Sequence, residues 1–209
     1  LPLDERVKEM GKKDIKAKIL SEDPIKGSTF PLINRIGYAQ MYRFGSPPNY
    51  NPKPEDSIES LAKKSGVTSA ELAYEILMEN VGNNFIYAPL VNYAEHTFDV
   101  CQKMLEDKNA IMGLGDGGAH VGFILDAGYP TWLISYWSVK KKVFSMEETI
   151  RRLTSDTASA AGLKDRGCLK VGLKADLNII DWEKVGSSDP FMVQDLPAGG
   201  KRLMQKTHG

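Results

Sequence analysis

Residues 110–120 read Ala-Ile-Met-Gly-Leu-Gly-Asp-Gly-Gly-Ala-His, an apolar run that leads directly into a carboxylate surrounded by glycines. The run 110–114 is typical of a short buried strand. In parallel α/β proteins the active site lies at the carboxyl ends of the strands, so we expect Asp116 to face a pocket. Its carboxylate could bind a metal ion or accept a proton from metal-bound water. Glycines beside it would let a ligand approach the backbone closely.

Helical and apolar stretches alternate along the chain on both sides of this run. A strand or two is predicted within 28–45 and another over 84–90, and Leu72, Ile76 and Leu77 are expected on the buried face of one helix. Two helices carry the pattern of a capping box, Thr68 with Glu71 and Ser145 with Glu148. The predicted helices cover residues 4–20, 57–65, 68 onward, 94–107, 129–142 and 145 onward. The alternation favours an α/β fold with a parallel sheet, either open or closed as a barrel.

Two features divide the chain into segments. Four prolines within 46–54 predict a surface loop, because proline donates no backbone hydrogen bond and breaks helices. After Gly162 the sequence pattern changes: short stretches are separated by glycines, and a strand is predicted at 175–181. We therefore predict a first domain over 1–165 and a second segment over 166–209.

The amino-acid composition limits the classes of function that the chain can have. Apolar residues make up 42% of the 209 residues and charged residues 26%, as in soluble globular proteins. The 27 basic residues balance the 27 acidic ones, so electrostatics predict neither a nucleic-acid partner nor a membrane partner. Cys101 and Cys168 are expected to be ordinary reduced thiols. Without a signal peptide or a long apolar run, a cytoplasmic protein is the expectation.

The three histidines do not form a metal site by themselves. His96, His120 and His208 include no His-x-His pair and no pair at helical spacing. We expect His96 to be structural and His208 to be exposed. Only His120 lies near the predicted pocket, and with Gly117 and Gly118 it is our candidate for substrate binding.

Other interpretations of the glycine-rich stretch stay open. Gly113, Gly115 and Gly118 match the Gly-x-Gly-x-x-Gly fingerprint of NAD(P)-binding oxidoreductases, although no acid follows at the required distance. Alternatively, Asp116 caps a tight turn in a non-catalytic scaffold domain. The aromatic side chains between 129 and 137 recur at helical spacing, which favours packing over a ligand cage. They are Tyr129, Trp132, Tyr136 and Trp137.

Several stretches resemble the D-aminoacylase-like amidohydrolases, the N-acyl-D-amino-acid deacylases. Residues 115–121 are similar to the last barrel-strand motif of that group, in which an acid precedes glycines and often Ala-His. Residues 148–167 resemble its helix ending in Thr, its Gly-Leu turn and its Arg-Gly. The strand with Gly-x-x-Ala-Asp in 169–181 and the stretch 189–203 resemble its closing sequence.

The resemblance implies a metal-dependent hydrolase. The fold would be part of a (β/α)8 TIM-type barrel followed by part of a small β-sandwich. One or two divalent metals, usually zinc, would activate water to hydrolyse the amide of an N-acyl-D-amino acid. Asp116 would lie at the metal, take the proton of the water and pass it to the leaving amine.

The sequence departs from this group in two respects. Gly115 stands where the family usually has Ser or Thr, which could loosen the positioning of Asp116. The early His-x-His and the mid-barrel ligands are missing, and a full barrel needs about 250 residues. We therefore expect a C-terminal portion of the enzyme that is inactive alone, binds metal weakly, and self-associates or complements an N-terminal portion.

Overall fold

The computed structural model describes residues 1–22, 36–114 and 118–209. The chain forms two compact units, Leu1–Lys103 and Met104–Gly209. The domain boundary predicted between 165 and 166 lies inside the second unit and stays a prediction. Residues 28–35 of the predicted strand region lie outside the described residues.

Helices dominate both units, and the strands are short. The α-helices of the described residues are α1 (Leu3–Met10), α2 (Lys13–Ser21), α3 (Ile58–Ser65), α4 (Ser69–Gly82), α5 (Asp99–Glu106), α6 (Tyr129–Trp132), α7 (Met146–Leu153) and α8 (Ser155–Ala160). A π-helix, Leu133–Lys140, continues α6, and single 3-10 turns occur at Tyr38–Gln40, Pro54–Asp56 and Pro197–Gly199. The strands are β1 (Tyr42–Arg43), β2 (Ile86–Tyr87), β3 (Gly186–Ser187), β4 (Phe191–Leu196), β5 (Gly200–Met204) and β6 (Thr207–His208).

All strand pairing in the described ranges is antiparallel. Strand β1 pairs with β2, β3 with β6, and β4 with β5. Neither parallel barrel strands nor two facing sheets occur in these ranges, so the partial barrel and sandwich stay a prediction. The prediction of strands at 110–114 and 175–181 was wrong, because neither stretch pairs with another strand in the described residues. An apolar run becomes a strand only where a neighbour accepts and donates its backbone hydrogen bonds.

The core of the first unit lies between α3 and α4. Ile58, Ala73 and Ile76 are buried there, and partly buried side chains from Tyr38 and Ile86 pack around them. Ser57 caps α3, and Gly66 ends it in the left-handed conformation at φ 69°. The proline-rich stretch before α3 is a loop, which is also confirmed.

The predicted helix over 4–20 is two helices, α1 and α2, separated at Gly11 and Lys12. The helix predicted over 94–107 begins only at Asp99. His96 has a positive φ of 56°, which a helix does not allow, and the Thr97 hydroxyl accepts a hydrogen bond from the Asp99 amide at 3.4 Å. At the first break the Gly11 amide still donates to the Val7 carbonyl at 2.9 Å, which closes the last turn of α1.

A capping box begins α4, as predicted from Thr68 and Glu71. The Thr68 hydroxyl accepts a hydrogen bond from the Glu71 amide at 3.2 Å, and the Glu71 carboxylate accepts one from the Thr68 amide at 2.8 Å. The bonds that the Thr68 amide and the Thr68 hydroxyl donate to the Glu71 carboxylate, each 2.8 Å long, lower the pKa of Glu71. Because the folded state holds the carboxylate ionised, this stabilisation is present above the unfolded-state pKa and is lost as the pH falls through the lowered folded-state value.

We expect Thr68→Ala to lower the free energy of unfolding by about 1 kcal/mol, because the orphan amide of Glu71 loses its acceptor. Urea denaturation at neutral pH would measure this. The matched control is Ser69→Ala, one residue further along, since the described structure shows no side-chain hydrogen bond from Ser69. That control should change stability by no more than about 0.5 kcal/mol. Equal effects of the two substitutions would contradict the capping role.

The core of the second unit forms around the π-helix. Leu133, Ile134 and Trp137 are buried, and Phe144 packs in the same unit. The Ser138 hydroxyl donates to the Phe144 carbonyl at 2.9 Å, which fixes the turn that follows the helix. The aromatic side chains predicted to pack do so: the rings of Trp132 and Tyr136 stack with centroids 4.5 Å apart, and the interpretation as packing is confirmed.

Helix α7 begins at a cap, as predicted. The Ser145 hydroxyl accepts from the Glu148 amide at 3.2 Å. The reciprocal half of the predicted capping box is absent from the described contacts, because the Glu148 carboxylate instead accepts from the Arg152 guanidinium at 2.9 Å. Arg152 also donates to the Leu105 carbonyl at 2.8 Å and lies over the Phe144 ring, so it ties α7 to the end of α5.

Both cysteines are free thiols. Cys101 is partly buried and its thiol donates to the Asn92 carbonyl at 3.3 Å, while burial raises the pKa of that thiol. Cys168 is exposed. No helix in the described ranges has the length and apolar character needed to cross a bilayer.

Candidate functional site

The candidate catalytic residue Asp116 and its neighbours Gly115 and Gly117 lie outside the described residues. The residues on both sides are described. Residues 110–114 have no regular structure, and Gly118 begins a series of turns that continues to residue 123. The structure therefore describes the residues on either side of the candidate acid and the contacts that hold them in place.

Gly118 occupies a backbone conformation that favours glycine. Its φ is +89°, and a Cβ placed there would meet no atom within 4 Å. The glycine is thus required by the turn and leaves open space above the backbone. This agrees with the predicted room for a ligand, although substrate binding by Gly118 and Gly117 stays a prediction.

His120 closes the first turn after the candidate acid. Its φ is +49°, and its carbonyl accepts from the amides of Phe123 and Ile124 at 3.0 Å each. The imidazole is exposed and stacks against the Phe123 ring, with centroids 5.4 Å apart. The side chain is therefore accessible to a ligand, and its role in substrate binding stays a prediction.

The C-terminal strands hold the segment 118–131, which we call the site loop. The Leu203 amide on β5 donates to the Val121 carbonyl at 2.8 Å. The hydroxyls of Thr131 and Thr207 lie 3.0 Å apart in a hydrogen bond, and Thr131 is buried. Residues about 80 positions away in the sequence thus anchor both ends of the site loop.

The hairpin of β4 and β5 is itself clamped across its strands. Arg202 donates to both oxygens of Asp195, at 2.8 Å and 2.6 Å. The hydrogen bonds from the guanidinium lower the pKa of Asp195. A paired hairpin presents the Leu203 amide in a fixed direction, and this direction matters because the amide anchors Val121.

Asp126 is a carboxylate of the site loop that sequence reasoning did not single out. The residue as a whole is exposed, but its carboxyl is partly desolvated, which raises its pKa. Its carbonyl accepts from the Tyr129 amide at 3.1 Å, at the start of α6. The sequence feature that could have identified Asp126 is its position ten residues after Asp116 and just before a helix.

The other two histidines have the predicted roles. His96 shares a hydrogen bond of 2.5 Å between its Nδ1 and the hydroxyl of Tyr42, which is buried, and its ring contacts Tyr93 edge-on. That is a structural contact in the first unit. His208 is exposed on β6.

The alternative interpretation as a dinucleotide fingerprint lacks its structural context. That fingerprint needs a strand before the glycines and a helix that opens at the last of them. Residues 110–114 form no strand, Gly118 begins a turn, and the next helix starts at Tyr129. No described helix N-terminus therefore lies beside Gly118 to receive a pyrophosphate.

The described side chains do not supply a metal site by themselves. In residues 1–22, 36–114 and 118–209 no three His, Cys, Asp or Glu side chains come close enough to hold a cation. The chemistry of the candidate acid fits a divalent metal, since carboxylate oxygen is a common zinc ligand.

Comparison of the chain with models of known protein families assigns it to a class of enzymes. The model of the amidohydrolase family matches residues 33–196, which is more than half of the chain and includes the site loop. The chain belongs to the amidohydrolase family. Its class is therefore that of hydrolases acting on amide and related bonds, a family that generally uses divalent metals. No curated protein and no solved structure matches the chain.

Proposed function

We propose that this chain serves in the hydrolysis of the amide bond of N-acyl-D-amino acids, with Asp116 as the catalytic carboxylate. The supporting observation is that the motif 113–120 lies inside the range matched by the amidohydrolase family. The resemblance of 115–121 to the D-aminoacylase-like group supports the narrower substrate class. The same resemblance supports a partial (β/α)8 barrel as the setting of the site.

The proposed chemistry assigns one task to each residue. A divalent cation, for which we propose zinc, supplies a water of lowered pKa and a polarised carbonyl when bound. Asp116 would hold that cation as one of its ligands, accept the proton of the attacking water and return it to the leaving amine. Gly117 and Gly118 would bind the substrate, with open space above the backbone of Gly118, and His120 would contribute its exposed imidazole.

The site loop explains why the C-terminal strands matter to this function. Val121 is anchored by Leu203 and Thr131 by Thr207, on either side of Asp126. Fixing a loop at two points reduces the conformational freedom of the residues near the candidate acid. The Leu203 contact joins two backbone groups and the Thr207 contact joins two hydroxyls, so both hold the loop rather than the substrate, and Leu203 and Thr207 are positioning residues in this proposal.

An assay of paired enantiomers tests the proposed substrate class. With the protein as translated in its own host, N-acetyl-D-amino acids should release free amine, while the matching L-enantiomers should remain intact. A chelator should abolish the release, and added Zn²⁺ should restore it, because the water is activated by the cation. Hydrolysis confined to the L series, or hydrolysis that survives the chelator, would contradict the proposal.

A further inference from the structure

The C-terminal stretch 200–207 contacts the site loop at two points. The Leu203 amide donates to the Val121 carbonyl at 2.8 Å. Further along the stretch, the Thr207 hydroxyl lies 3.0 Å from the Thr131 hydroxyl. The position of the site loop therefore depends on the contacts that hold this stretch in place.

A β-bulge interrupts the pairing that holds β5. Val193 of β4 pairs with Arg202 of β5. Three residues further along β4, Leu196 pairs with Gly200, which lies only two residues from Arg202. A bulge leaves one residue without a partner and locally disrupts the hydrogen bonds between the strands. The interruption lies directly beside Leu203, through which β5 holds the site loop.

Two charge-assisted hydrogen bonds span the bulge. Asp195 is one of the β4 residues within it, and its carboxylate accepts from the Arg202 Nε at 2.8 Å and from Nη2 at 2.6 Å. A forked contact between a guanidinium and a carboxylate fixes the orientation of both groups and is stronger than a hydrogen bond between neutral groups. We call this pair the hairpin clamp. It ties β4 to β5 at the point where the regular pairing is interrupted.

We propose that Asp195 and Arg202 are positioning residues of the hydrolytic site, which hold the site loop through the Leu203 amide. Arg202 precedes Leu203 in the chain, and Leu203 holds Val121, which lies five residues after Asp116. The three residues that follow Asp116 are glycine, glycine and alanine. These residues offer almost no side chain for packing, so the loop depends on restraints from elsewhere in the chain. The proposal rests on the hydrolytic role proposed for Asp116.

Removal of the hairpin clamp should lower the turnover number. In the protein as translated in its own host, Asp195→Ala and Arg202→Gln should each lower kcat by about three- to fivefold for the best N-acyl-D-amino acid, an effect suited to one exposed ion pair. KM should change by less than about twofold, because the clamp acts on the loop and not on the bound substrate. The matched control is Arg151→Gln, which removes the 2.7 Å bond from Arg151 to Asp156 in the same unit. This control should leave kcat at the value of the parent protein.

Exchange of the two charges tests whether the residues act as a pair. Asp195→Arg combined with Arg202→Asp places opposite charges across the bulge again and should restore most of the kcat that either single substitution removes. Arg202→Lys keeps the charge but loses the forked contact, so its kcat should lie between those of the parent protein and Arg202→Gln. If the losses simply multiplied in the exchanged protein, the hairpin clamp would be wrong.

Amide hydrogen exchange separates this proposal from the proposed function. The Leu203 amide should exchange several-fold faster in Asp195→Ala and Arg202→Gln, because its bond to the site loop opens more often. The Thr149 amide, which donates at 3.0 Å at the start of α7, should exchange at the parent rate and thereby controls for folding.

The two measurements together distinguish the outcomes. If the parent protein hydrolysed N-acyl-D-amino acids and the clamp variants matched its kcat, the positioning role would be wrong and the proposed function would stand. A lower kcat without faster exchange at Leu203 would refute the route through that amide. If the parent protein lacked the activity, the proposed function would be wrong, and the positioning role would be rejected with it.

Discussion

In the protein as translated in its own host, Asp116→Asn should lower kcat for hydrolysis of the best N-acyl-D-amino acid by about 10²- to 10⁴-fold. Asparagine keeps the shape of the side chain but does not accept the proton of the attacking water. Because the substitution removes an interaction that forms in the transition state, KM should change much less than kcat. Initial rates of amine release across a range of substrate concentrations measure both constants.

The control for this substitution is Asp107→Asn. Asp107 lies nine residues earlier, and its carboxylate oxygen accepts from the Asn109 amide at 2.8 Å. An asparagine there retains an acceptor oxygen, so both the turn and the activity should persist. If Asp116→Asn kept kcat within about threefold of the parent protein, its role as proton acceptor would be wrong. Loss of folding is separated from loss of chemistry by comparing thermal unfolding of the two variants.

Ile76→Ala should lower the free energy of unfolding by about 2–5 kcal/mol. The Ile76 side chain is fully buried against Ile58 and Ala73, and its removal leaves a cavity that the neighbours fill only in part. Chemical denaturation monitored by circular dichroism at 222 nm reports this change through the helices of the first unit.

Leu77→Ala provides a matched comparison on the same helix. The sequence placed Leu77 on the buried face together with Ile76, but it is 44% exposed in the structure. We therefore expect its truncation to cost less than about 1 kcal/mol. If the two variants lost similar amounts of unfolding free energy, the helix would have to face the core at a different rotation from the one in the structure.

The difference between Ile76 and Leu77 shows where prediction from periodicity ends. The apolar face of α4 is centred on Ala73 and Ile76, which lie three residues apart. Leu77 is one position further, rotated by about 100° around the helix axis. Beyond it the regular helix stops, because Glu79, Asn80 and Val81 have non-helical backbone angles. Periodicity identified the helix, but the packing of α3 decided which apolar residues are buried.

Features that depend on neighbours within four residues were predicted correctly. Thr68 and Ser145 cap their helices. Each of these outcomes depends on a hydrogen bond or a backbone preference inside one turn of chain. The motif around Asp116 is also made of contiguous residues, so its similarity to a family can be read without a structure, while the role of Asp116 stays a prediction.

The sequence by itself determined the family, the helix caps and the identity of the candidate acid, because each is encoded in adjacent residues. Only the tertiary structure decided that Leu203 and Thr207 anchor the site loop, that His96 bonds to Tyr42, and that 110–114 and 175–181 stay without strand partners. These outcomes require groups far apart in the chain to meet. A hydrogen bond or a buried contact of that kind exists only once the whole fold has brought both partners together.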